Sequence, residues 1–324
     1  VKYECAHCGI PLRFYEPGRL FLKKDGDAAW SMFDYEHVEE ADKWLKSSDA
    51  KMAGIGKKGA VLPEKAASFE EMVYLFEQKE AVELIESGEL ISYLQPIVDL
   101  RDDSIYGYES LLRTPANDKQ ISPGVLFSTA AKTGLHSKLD QRAREAAIRA
   151  RKDQIAGNVK SFINFLPSTI YNPEFCLRHT FQVVEKYDID PSNLVFEVVE
   201  TEKIIDVLHL KKVLAVYQRE GMKVALDDVG AGFSTLDMLS SLRPDYVKLD
   251  RSYISYCDQN QENQTFLNEA LRIADSLGIT LLAEGIERQE ELDYCHASGI
   301  PLAQGYLIGK PAAEAAIPEG FSLS

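Results

Sequence analysis

From residue 91 onward the sequence alternates between short apolar runs and amphipathic stretches, and that alternation leaves few folds open. Apolar runs lie at Ile91–Val98, Tyr106–Leu112, Ser161–Phe165, Leu194–Val199, Lys223–Leu226, Tyr246–Leu249 and Thr280–Ala283. Helical periodicity falls between most of them, as at Phe127–Lys132, Leu139–Arg151, Leu208–Glu220 and Glu262–Leu277. Strands alternating with helices imply a largely parallel sheet covered on both faces. Seven or so strands in about 225 residues is the size of a (β/α)8 barrel of the TIM type. The rival, an open doubly wound sheet, normally carries a glycine fingerprint after its first strand, and this sequence has none.

What ends each run carries the chemistry. Tyr108 leads into Glu109, Phe162-Ile163 into Asn164, Leu194-Val195-Phe196 into Glu197, and Val224-Ala225-Leu226 into Asp227-Asp228. Tyr246-Val247 runs into Lys248, with Asp250 two places on, and Leu281-Leu282-Ala283 into Glu284. In a parallel barrel the C-terminal strand ends open onto one face, so these groups should converge there. Carboxylates brought together repel one another unless a cation sits among them. Oxygen ligands select Mg²⁺, Mn²⁺ or Ca²⁺ over zinc. Adjacent Asp227 and Asp228 are suited to bridging two metals, as in phosphodiester cleavage. Lys248 would position the attacking water or neutralise the transition state. Each acid alone reads as a solvated strand end or a helix cap, and Lys248 alone as half of a structural ion pair with Asp250; six strand ends together do not.

These segments resemble the signature motifs of the EAL-domain cyclic-di-GMP phosphodiesterase family. Tyr108-Glu109-Ser110-Leu111-Leu112-Arg113 is similar to its Glu-Ala-Leu followed two residues later by Arg. Asp227-Asp228-Val229-Gly230-Ala231-Gly232-Phe233-Ser234-Thr235-Leu236 resembles its Asp-Asp-Phe-Gly-Thr-Gly-Tyr-Ser-Ser-Leu loop, and Ala283-Glu284-Gly285-Ile286-Glu287 its Ala-Glu-Gly-Val-Glu. Gln95-Pro96-Ile97 and Gln304-Gly305-Tyr306-Leu307, with Pro311, match motifs near the two ends. The resemblance implies a barrel with one antiparallel strand. It implies hydrolysis of cyclic di-GMP to linear 5′-pGpG with two Mg²⁺ or Mn²⁺ ions. Glu109, Asn164, Glu197 and Asp227 would hold one ion, and Asp227 and Asp228 the other. Lys248 would contact the hydrolytic water, Glu284 and Gln304 would complete the site around water and substrate, and Gln95 and Arg113 would contact the guanine and phosphate region. Glu200, Gly230, Gly232 and Ser234 would belong to a loop that couples the site to a homodimer interface.

The departures are few. Ser110 stands for Ala; strand alternation turns it away from Glu109, Leu111 and Arg113. Val229 stands for Phe, and its smaller volume would loosen the loop, so that restoring Phe should raise turnover. Two further readings stand beside the enzyme: a receptor that binds cyclic di-GMP without cleaving it, and a protein-interaction role with a vestigial site. Receptors of this kind lack ligands that are all present here.

The rest of the chain is less informative. Residues 1–67 read as a small N-terminal α+β unit and linker, and 68–324 as the barrel domain. A hairpin is expected around Asp25-Gly26 and a helix around Glu36–Lys46. Gly54-Ile55-Gly56-Lys57-Lys58-Gly59 reads as a linker or exposed loop; it lacks the final Gly-Lys-Ser/Thr of a phosphate-binding loop. Ser68-Phe69-Glu70-Glu71 reads as a capping box. Cys5 and Cys8 have the spacing of half a zinc site; Zn²⁺, redox sensing and no special chemistry are all open readings. The five cysteines otherwise scatter, which fits a reducing cytoplasmic compartment. Apolar residues are 45% and charged residues 27% of 324, a globular composition. A net charge of −15 argues against duplex DNA as a partner. No run of eighteen apolar residues offers a membrane span.

Overall fold

The computed structural model describes residues 13–116, 120–199, 206–230 and 236–316. Cys5, Cys8, Glu200, Gly232 and Ser234 lie outside these residues. The chain divides into two compact units: one runs to Leu90 and takes in Arg113–Arg142, the other comprises Ile91–Leu112 and the chain from Ala143.

The first unit is built on a four-stranded antiparallel sheet of β1 (Gly18–Lys23), β2 (Ser31–Tyr35), β3 (Met52–Lys57) and β4 (Lys65–Ser68), in the order β2-β1-β3-β4. The expected hairpin is β1 and β2, with Gly26 at φ 82° in the connection. The expected helix runs from Val38 to Lys46 and buries Val38, Ala41 and Leu45. Ser68 caps the helix Phe69–Glu77 by accepting a hydrogen bond from the Glu71 amide. The glycine-rich stretch is not a linker. Residues 54–57 belong to β3, paired to β1 on one side and β4 on the other, with Ala53 and Ile55 buried, and only Lys58 and Gly59 form a turn. The glycines mark a close approach rather than a loop: a Cβ at Gly54 would lie 2.5 Å from Pro63 Cβ and 2.9 Å from the Lys65 carbonyl oxygen.

The second unit holds a closed eight-stranded barrel of β5 (Ile91–Asp99), β6 (Ser104–Arg113), β7 (Lys160–Phe165), β8 (Leu194–Val198), β9 (Lys223–Val229), β10 (Tyr246–Leu249), β11 (Thr280–Ala283) and β12 (Leu302–Ala303). The seven expected strands are present. The eighth, β12, is two residues long and too short to leave a periodic signal. Pairings from β6 round to β12 are parallel, while β5 runs antiparallel to β12. The single reversed strand is therefore β5.

Two layers of apolar side chains hold the barrel. Outward-facing residues such as Ile163, Phe196, Leu226, Val247 and Leu281 form one core with helix residues including Tyr217, Leu214, Leu267 and Leu292. The inside is plugged by Ile97, Phe162, Val195, Ala225, Tyr246, Leu282 and Leu302, one from each of seven strands. Tyr106 of the remaining strand packs against this plug, and its hydroxyl lies 2.6 Å from that of Tyr246. The plug decides where the site must be, because side chains two residues apart share a face of a strand.

Candidate active site

Stepping two residues from each plug residue toward the same rim gives Asn164, Glu197, Asp227, Lys248, Glu284 and Gln304 on the parallel strands. On reversed β5 the same step runs backward and gives Gln95. A ring of polar groups thus lies one pleat above an apolar floor, in the C-terminal mouth expected to carry chemistry. Asn164 and Glu197 are register partners across β7 and β8.

Lys248 sits at the centre and is 1% exposed. Its Nζ lies 2.8 Å from Glu284 Oε1, 3.0 Å from Asp227 Oδ1, 3.3 Å from Glu197 Oε1 and 3.6 Å from Glu109 Oε1. Asp250 does not pair with it: its carboxylate accepts from the Ser252 amide at 2.9 Å and caps the helix Arg251–Ile254. Glu109 is fixed from both sides, Asn164 Nδ2 donating to Oε1 at 3.0 Å and Gln304 Nε2 to Oε2 at 2.8 Å. Gln95, also buried, donates from Nε2 to the Gly309 carbonyl at 3.1 Å. Arg113 is the last residue of β6. Ser110 pairs with Ile163 in the barrel wall, alternating away from Glu109 as expected.

Adjacent residues of a strand normally face opposite ways, so Asp227 and Asp228 should not both reach the site. A β-bulge resolves this. Across β9 and β10, Leu226 pairs with Val247 and Val229 with Leu249, which leaves Asp227 and Asp228 together opposite Lys248. Asp228 takes the left-handed conformation at φ 49°, which Asp tolerates better than most residues. Oxygens of Asp227, Asp228 and Glu284 come within 4.8 Å of one another. Val229, between the bulge and Gly230, is fully buried in the core around the barrel.

The electrostatics follow from this crowding. Burial pushes the Glu197 and Glu284 carboxyls well above their usual range, although Lys248 pulls against it. Burial acts on Glu109 in the same sense, but Lys248 and the amides of Asn164 and Gln304 outweigh it and hold that carboxyl below its usual value. Burial disfavours the Lys248 ammonium, and the surrounding carboxylates more than compensate, so it stays protonated. One cation still leaves acceptors over. Oε2 of Glu197 and Oε1 of Gln304 are buried and accept no hydrogen bond, and Oε1 of Glu197 and Oδ1 of Asp227 face only the one ammonium of Lys248 that they share with Glu109 and Glu284. Buried acceptors of this kind need partners, and an all-oxygen donor set with surplus negative charge fits a hard divalent cation. The residues therefore suit a divalent cation, the class of metal expected from the sequence.

The sequence reading missed the bulge, the Gly309 carbonyl that anchors Gln95, and two aromatic rings, Tyr253 and Phe266, that lie against Gly230. Only the doubled acid at 227 and 228 signalled the first; ordinary helical periodicity hides the rings.

Comparison with known proteins agrees with this architecture. The family model described as the EAL domain matches residues 78–311. The probable cyclic di-GMP phosphodiesterase PdeG of Escherichia coli K12 is 33% identical over 236 residues, covering 70% of this chain and 45% of that protein, so the chain spans less than half of that relative. A standalone EAL protein from Vibrio cholerae O395, solved in its c-di-GMP bound form, is 32% identical with a TM-score of 0.64, covering 71% of this chain and 95% of that one. BlrP1 of Klebsiella pneumoniae, solved as a manganese and cyclic-di-GMP complex at pH 9.0, is 29% identical with a TM-score of 0.63, covering 69% of this chain and 56% of that one.

Proposed function

The chain belongs to the EAL-domain family, and from that premise and the geometry of the barrel mouth we propose that it is a metal-dependent phosphodiesterase that hydrolyses cyclic di-GMP to linear 5′-pGpG. The observation that carries the reading is the convergence of Glu109, Asn164, Glu197, Asp227, Asp228, Glu284 and Gln304 around Lys248, with buried acceptor oxygens left over. A receptor that had lost catalysis would have no need to keep that surplus.

Glu109, Asn164, Glu197 and Asp227 would hold one divalent ion, and Asp227 and Asp228 a second. When bound, such ions lower the pKa of water and neutralise charge on phosphoryl oxygens. Lys248 supplies a donor at the point where negative charge develops, held in place by the acids around it. Glu284 stands beside Lys248 to orient water and receive its proton. Gln304 and Asn164 keep the Glu109 carboxylate from rotating. Gln95, locked by Gly309, and Arg113 would bind the guanine and phosphate of the substrate. The same proposal includes a barrel domain from residue 68 preceded by a separate unit of residues 1–67. It includes a homodimer coupled to the site through Glu200, Gly230, Gly232 and Ser234, and a cytoplasmic location. Among the described residues no helix is long and apolar enough to cross a membrane.

The test is incubation of purified protein with cyclic di-GMP in Mg²⁺, in Mn²⁺ and in EDTA, beside Glu109→Ala. Metal-dependent appearance of 5′-pGpG, lost in the variant, is expected. Tight binding without product under any metal would make the protein a receptor instead.

A further inference from the structure

The backbone that presents Asp227 and Asp228 together is an uncommon one. Asp228 is at φ 49° and Gly230 at φ 108°, with buried Val229 between them. Gly230 takes its positive φ without strain, but a non-glycine residue such as Asp228 stays in the left-handed region only where its surroundings hold it. One restraint comes from the barrel, where the Asp250 amide donates to the Val229 carbonyl at 3.3 Å. The other is aromatic. A Cβ at Gly230 would lie 2.6 Å from both Phe266 Cζ and Tyr253 Cε2, so the two rings press directly on this glycine. The rings stack on each other with centroids 3.8 Å apart and planes 22° from parallel. Tyr253 comes from the short helix Arg251–Ile254 that follows Lys248 and Asp250, and Phe266 from the helix Gln261–Leu277. Both are only partly buried.

We propose that Tyr253 and Phe266 are positioning residues for the site: their stack is a seat that fixes Gly230 and so holds the bulge that brings Asp228 into the barrel mouth beside Asp227. The inference rests on the reading that those two carboxylates share a divalent ion. It makes the outer helix Gln261–Leu277 part of the machinery that sets ligand geometry, although the ion pairs of the cluster run to Lys248 of β10 and not to this helix. A ring that merely filled space would, when shortened, lower stability without favouring one ion over the other. A seat should act on Asp228 selectively.

The experiment compares wild type, Phe266→Leu, Tyr253→Leu and Tyr253→Phe by Mn²⁺ titration, steady-state kinetics and crystal structures. Both leucine variants should bind the ion shared by Asp227 and Asp228 about 10-fold more weakly. The ion held by Glu109, Asn164, Glu197 and Asp227 should keep its affinity, because strand alternation from Ala225 turns Asp227 into the mouth without the bulge. The kcat should fall at unchanged KM, and Tyr253→Phe, which keeps the ring and its contact with Gly230, should behave as wild type. In the Phe266→Leu crystal, Asp228 should have left the left-handed region. Unchanged Asp228 geometry in both leucine variants, or equal weakening of both ions in step with lost thermal stability, overturns the proposal. Wild type that binds no Mn²⁺ would sink the metal reading and leave the variant structures to decide the seat. Should Phe266→Leu fail to fold, Gly230→Ala reads the same contact from the other side, and its added methyl should give the same selective loss.

Discussion

An ammonium buried among four carboxylates persists because each desolvated charge offsets the cost of the others. Remove Lys248 and the acids remain, still out of water and now repelling one another. Lys248→Met should therefore destabilise the protein in EDTA by about 3–5 kcal/mol, the cost of leaving buried charges unpaired. Chemical denaturation measures it; a loss below about 1 kcal/mol would mean that water reaches the cluster and screens it. The neighbouring Asp228 separates backbone from charge in one substitution. Asparagine tolerates the left-handed conformation, so Asp228→Asn should keep its fold within about 1 kcal/mol while calorimetry finds one bound Mn²⁺ fewer than wild type. An unfolded variant would show instead that the carboxylate, not the backbone, holds the bulge.

The strands show why some of this was legible and some was not. Five of the six strand ends and the mouth they share follow a pleat that repeats every two residues, so an apolar plug residue and its polar partner announce each other, while Glu109, three residues past Tyr106, was legible only as the acid of its motif. Phe162 with Asn164, Val195 with Glu197 and Tyr246 with Lys248 are such pairs. Strand β12 escaped because two residues cannot show a period. Strand β3 was misread because Gly54 and Gly56 outweighed the alternation of Ala53 and Ile55 beside them. The bulge at Asp227-Asp228 is a break in periodicity that only pairing with β10 reveals. Strand β3 gives its own prediction. Gly54→Ala should cost about 1–3 kcal/mol, because the methyl meets Pro63 and the Lys65 carbonyl in a packed sheet. Urea unfolding of the variant checks this, and indifference to the substitution would return the segment to the loop first read from its glycines.

At the scale of the whole molecule, a chain of net charge −15 is proposed to bind and cut an anionic dinucleotide. Only local placement reconciles the two: the acids that raise the charge at the barrel mouth are the same groups that leave acceptor oxygens for cations. Glu197 is the clearest example, fully buried, with Oε2 in no hydrogen bond and Oε1 facing only the shared Lys248 ammonium. That placement is the central claim, and anomalous diffraction from crystals grown with Mn²⁺ and cyclic di-GMP tests it most directly. The account predicts manganese peaks in contact with Glu109, Asn164, Glu197 and Asp227 and with Asp227 and Asp228. Well-ordered substrate with no manganese among these carboxylates, or manganese bound elsewhere while the crystals turn over, would contradict it.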